Sequence, residues 1–128
     1  MSYYFAKQLR DPFDKAIDRV TEALKSAGFG VLTDIDVSRT LKQKINVDFR
    51  RYRILGACNP KMAHKALQAE DKIGTMLPCN VIVQELDGGI VEVAAIDPVA
   101  SMQAVDNPGL AETAQAVREQ LKGVIESL

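Results

Sequence analysis

An α+β fold in a single domain, residues 1–128, is what this sequence predicts. Three observations carry that expectation. Short β-branched runs alternate with amphipathic helical stripes along the whole chain. Two of those runs, 79–86 and 90–96, are joined by Asp87-Gly88-Gly89, a signal for an antiparallel hairpin. The 128 residues contain no tandem repeat, low-complexity stretch or linker that would divide them. The expected architecture is a roughly five-stranded, largely antiparallel sheet with helices packed on one face, in the order β-α-β-α-β-α-β-β-α.

Residues 3–9, YYFAKQL, read as an aromatic-rich strand. Asp11-Pro12 then supplies an N-cap followed by proline at the first helical position. Phe13, Ile17, Val20, Leu24 and Ala27 form the apolar stripe of the helix, and Gly28 is its left-handed stop. In residues 30–37, Val31, Thr33 and Ile35 alternate with Leu32, Asp34 and Asp36, which predicts a strand. Ser38 is suited to cap a short helix over RTLKQKI. Residues 51–58, RYRILGAC, form the third strand. Asn59-Pro60 repeats the cap-then-proline device and opens the helix KMAHKALQAE. Gly74 and Pro78 punctuate the segment that follows. The hairpin strands CNVIVQEL and IVEVAAI come next, with Asp87-Gly88 expected in a type I′ turn. Asp97-Pro98 ends the last strand. Pro108 opens a final helix whose stripe is Leu110, Ala114, Val117, Leu121, Ile125 and Leu128.

Composition narrows the function classes. Hydrophobic residues make up 47% and charged residues 26%, the balance of an ordinary globular protein. Sixteen Lys and Arg against seventeen Asp and Glu leave a net charge of −1, so no global field gathers nucleic acid or anionic membrane. No stretch approaches the ~20 apolar residues of a membrane span. The N-terminus lacks the basic and apolar regions of a secretory signal, which sets a cytoplasmic expectation. Two cysteines are too few for a disulfide framework, and in a reducing compartment they rest as thiols. The motifs GxGxxG, GxxxxGK, HExxH and GxSxG are all absent.

One local echo stands out. Ala57-Cys58-Asn59 and Pro78-Cys79-Asn80 both place Asn directly after Cys, one at a strand's end and the other at a strand's start. If the two strands are neighbours, both cysteines lie near one edge of the sheet. Strand parity alone leaves open which face each one uses.

The segments TDIDV (33–37), LGACNP (55–60), IGTMLPCNVIV (73–83) and IDP (96–98) stand in order along the chain. Together they resemble the bacterial and archaeal family catalogued as domain of unknown function 302. The resemblance runs from the first strand to the Ile96-Asp97-Pro98 corner. It implies a small α+β protein that pairs as a homodimer, with no established activity and no catalytic residue to transfer. Asp36, Asn59, Pro60, Leu77 and Pro78 match the family pattern, whereas Cys58 and Cys79 look like a subgroup variant.

The candidate ligand-binding residues are Asp36, Cys58, Asn59, Cys79 and Asn80. Cys58 and Cys79 suit a reversible disulfide or a soft ion such as copper(I) or zinc, with His64 as the one histidine able to join them. Set against that, free cysteine packs as a small buried hydrophobe. Asn59 is explained by its cap, while Asn80 is an unusual residue for a strand. Asp34 and Asp36 are a carboxylate pair suited to acid–base work only if one pKa is raised. Asp36 also reads as a cap or turn residue beside Ser38. Arg50, Arg51 and Arg53 next to Tyr52 form a basic knot able to receive a phosphate or carboxylate, or simply a solvated strand end.

The expectation is a cytoplasmic homodimer that binds a small ligand or partner rather than catalysing, with no cofactor, nucleic acid or membrane. The first rival is a thiol redox sensor or soft-metal protein using Cys58 and Cys79. The second is a small hydrolase or isomerase using Asp34 or Asp36.

Overall fold

The structure, a computed structural model, describes residues 2–128. The described strands are β1 (Tyr4–Leu9), β2 (Gly30–Asp36), β3 (Tyr52–Cys58), β4 (Cys79–Glu85) and β5 (Val91–Ile96). The α-helices are α1 (Phe13–Ser26), α2 (Val37–Ile45), α3 (Pro60–Ala69), α4 (Pro98–Ser101) and α5 (Pro108–Ser127). A 3₁₀ helix spans Asp71–Met76 between α3 and β4. The five strands form one sheet in the order β1-β5-β4-β3-β2, and every pairing is antiparallel.

Side-chain parity sorts the sheet into two faces. One face carries Leu55, Ala57, Cys79, Val81, Val83, Val91, Val93 and Ala95, all buried. They join Phe13, Ala16, Val20 and Leu24 of α1 and Val117, Leu121, Val124 and Ile125 of α5 in the main core. The stripes predicted for α1 and α5 are the faces these helices bury. A smaller cluster of Ala66, Ile73 and Leu110, with Leu77, Met102 and Val105 against it, sits under α3.

The helix α2 stands apart from this packing. It has no buried residue, and Ile45 is 63% exposed. Its ends are closed locally instead. Asp36 accepts from the Arg39 amide at 3.0 Å, and Asn46 closes the helix at φ 54°. The cap is therefore Asp36, with Ser38 donating to the same carboxylate at 3.0 Å.

Three local expectations need correction. Asp11 does not cap α1: Pro12 occupies the N-cap without a side-chain hydrogen bond, and Asp11 pairs with Arg19 at 3.0 Å. The hairpin is not a type I′ turn on Asp87-Gly88, because the positive φ angles fall on Gly88 (79°) and Gly89 (75°). Leu86 and Ile90 close this longer loop, the Leu86 amide donating to the Ile90 carbonyl at 2.7 Å. The alternation in β2 is broken by a register shift between Val31 and Thr33, which leaves Leu32 unpaired. The bulge breaks the clean alternation of Val31, Thr33 and Ile35 against Leu32, Asp34 and Asp36.

Gly56 illustrates how tightly β3 is held. A Cβ there would lie 2.1 Å from Thr33 Oγ1 and 2.7 Å from Pro78 Cγ, so only glycine lets β2 and the Pro78 ring close over this strand.

Candidate functional site

Where β3 ends and β4 begins, Ala57 lies directly opposite Cys79. The chain leaves β3 through Cys58 and Asn59 into α3, and enters β4 through Leu77 and Pro78. Asn59 makes that exit sharp. Its side chain accepts from the Met62 amide at 3.3 Å, and Pro60 takes the first helical position. The Asn59 amide also donates to Gln120 Oε1 at 3.5 Å, tying the start of α3 to α5.

This junction walls a cavity of about 290 Å³. Cys58 and Cys79 form its sheet end, together with Phe29, Ala57 and the bulged Leu32. Met62, Ala66 and Leu67 of α3 form one side, and Leu110, Ala114 and Val117 of α5 form another. Leu77, Pro98 and Met102 line the remainder, so the cavity, which opens to solvent past Leu32 and Leu67, lies between the main core and the smaller cluster under α3. Its lining is almost wholly apolar. The polar atoms available at its wall belong to Asn59, Thr113 and the two thiols.

Both cysteines are free thiols; Cys79 is buried and Cys58 half-buried. Burial pushes the Cys79 thiol up to about 11, and the neighbouring Cys58 adds to the rise. Cys79 is therefore a neutral thiol at physiological pH and a poor nucleophile.

Of the residues singled out by sequence, Cys58, Asn59 and Cys79 meet at this cavity. Asn80 does not: the residue after Cys79 in a strand points to the opposite face, where it is exposed. There it borders a shallow groove with Tyr4, Tyr52, Ile82, Gln84 and Glu92. Asp36 is also elsewhere. It pairs with Arg53, five residues along β3 from Cys58, or ~17 Å away at strand rise. The Arg39 amide holds the Asp36 carboxyl below its ordinary value, the reverse of the shift a general base needs. Asp34 is engaged by Arg53, whose Nε donates to Oδ1 at 2.7 Å while a second guanidinium nitrogen meets Oδ2. Arg51 pairs with Asp14 at 2.7 Å and lies over the Phe13 ring, so two arginines of the basic knot brace strand to strand and strand to helix. His64 is exposed on α3. Among the described residues no group of three His, Cys, Asp or Glu side chains is placed to hold a metal ion, so Cys58, Cys79 and His64 are not gathered as ligands.

Sequence reading missed most of the wall. Met62 and Ala66 stand one helical turn apart on α3 with Leu67 next to Ala66, and Leu110, Ala114 and Val117 stand at helical spacing on α5. Their spacing signals a buried face and says nothing of a void beside it.

Comparison with known proteins agrees with this architecture. The chain matches the family model described as domain of unknown function DUF302 over residues 5–128. Its structure is similar to the crystal structure of an uncharacterized conserved DUF302 protein from Bacillus stearothermophilus. The TM-score is 0.91 at 27% identity, covering 98% of each chain. No curated protein matches the chain.

Proposed function

The chain belongs to the DUF302 family, and from that premise we propose that it is a binding domain that takes a small apolar molecule into the cavity beside Cys58 and Cys79. The observation that carries this reading is an apolar pocket of about 290 Å³ that reaches from the surface in between two hydrophobic clusters. Interiors normally close to crystal-like density, and small-molecule sites begin at about 300 Å³. The few polar atoms at the wall orient a ligand with one polar end. The unit that binds is a pair of chains in a reducing compartment, where both thiols stay free.

A thiol protein is the second reading, and what favours it is that both cysteines line the same cavity. The raised pKa of Cys79 weighs against redox or nucleophilic use. Acid–base chemistry at Asp34 or Asp36 has least support, because one carboxylate is held by Arg53 and the other caps α2.

Calorimetric titration with 1-octanol tests the first reading and separates it from the second. We expect saturable binding to the wild-type protein, its loss in Ala66→Phe, whose ring fills the void, and its retention in Cys58→Ser. Equal binding by Ala66→Phe would place the alcohol elsewhere, and its loss in Cys58→Ser would show that the site depends on that sulfur.

A further inference from the structure

The chain carries six sulfur atoms, in two cysteines and four methionines, and four of them line one pocket. These belong to Cys58, Cys79, Met62 and Met102. The packing divides them. Cys79 is part of the main core and Met62 packs against that core, whereas Met102 packs against the smaller cluster under α3. Three sulfurs share the sheet end of the pocket, and the fourth stands at the other end.

Local structure brings the three together. Antiparallel pairing sets Ala57 opposite Cys79, so Cys58 is the residue next to that partner. The two thiols are near enough for a charge on one to act on the other. The chain then turns at Asn59, whose side chain accepts from the Met62 amide at 3.3 Å and so keeps Met62 beside the end of β3. Neither cysteine is spent on a disulfide.

We infer that the sheet end of the pocket is a copper(I) site, with Cys58, Cys79 and the Met62 thioether as its sulfur donors. The third donor is a thioether rather than the exposed His64. This site depends on the same pocket as the apolar-ligand reading, and it gives the thiol reading an ion and a third donor. Two features of the wall choose the ion. The first is softness: thiolate and thioether sulfur select copper(I). Zinc takes cysteine, histidine and carboxylate ligands, normally four of them, and the wall offers only the two cysteines. The second is charge. No Lys, Arg, Asp, Glu or His stands on the wall, so a bound ion must be neutralised by the thiols themselves. Copper(I) carries one positive charge, which a single thiolate cancels. On binding, the S–H bond breaks, a sulfur–copper bond forms, and the proton leaves to solvent. The copper stays in its +1 state throughout.

Anaerobic titration of the reduced protein with copper(I), in competition with bicinchoninate, tests the site. We expect one copper(I) per chain and a copper-edge absorption spectrum fitted by sulfur neighbours alone. Cys58→Ser and Cys79→Ala should each abolish binding. Met62→Leu, which keeps the apolar volume, should weaken it several-fold, and Met102→Leu should leave it unchanged. Octanol binding by Met62→Leu reports that the pocket of the variant is intact. Equal copper affinity in wild type and Met62→Leu, nitrogen or oxygen neighbours in the spectrum, or zinc(II) bound as tightly would each overturn the site. A wild-type chain that takes octanol but no copper(I) would overturn the site and leave the apolar-ligand reading standing.

Discussion

Cys79 carries the clearest pH signature in the molecule. Its folded pKa of about 11 lies above the ordinary value of 9.0, so the unfolded chain ionises first as pH rises. The stability this thiol contributes is complete below pH 9.0 and lost progressively towards pH 11, at ~1.4 kcal/mol per unit. Urea unfolding of wild type and Cys79→Ala at pH 8 and pH 10.5 should therefore differ, wild type losing roughly 2 kcal/mol more. Equal losses would mean that the thiol is hydrated. The echo of Ala57-Cys58-Asn59 and Pro78-Cys79-Asn80 made the meeting of the cysteines legible, because neighbouring antiparallel strands bring an end beside a start. The same parity sends Asn80 to the open face. Nothing in the spacing of Asp36 shows that β2 carries it to the far end of the sheet.

The helix α3 supplies much of the cavity wall, and one side chain starts it. Asn59→Ala removes the acceptor for the Met62 amide and the link to Gln120. The expected cost is about 1 kcal/mol, with faster amide exchange in the first turn of α3 and weaker octanol binding. Asn59→Asp should restore most of the stability, because a carboxylate caps equally well. An unchanged Asn59→Ala would show that Pro60 alone holds the turn. Caps of this kind are legible where the chemistry is local, as at Asn59-Pro60. They fail where a distant partner competes. Asp11 looks like the same device, yet Arg19 takes its carboxylate and Pro12 is left as the cap. The β2 bulge is illegible for a similar reason. Leu32 leaves the ladder beside Gly56, where the Pro78 ring and Thr33 close over β3.

At the scale of the whole chain, the hairpin of β4 and β5 is a local event and could be read from Asp87-Gly88-Gly89. The order β1-β5-β4-β3-β2 could not, because β1, the first strand in the chain, pairs with β5, the last, and no local signal records a pairing between chain ends. The cavity is a property of that assembly. Its wall is drawn from β2, β3, α3, the approach to β4, α4 and α5, and no one of these segments records it. No described helix is long and apolar enough to cross a membrane. Ligand binding therefore depends on the apolar pocket between α3, α5 and the sheet, and xenon occupies such apolar space directly. Diffraction from a crystal pressurised with xenon should show the atom among Met62, Leu77, Met102 and Leu110. Collapse of α3 onto α5 with no xenon between them would contradict the account.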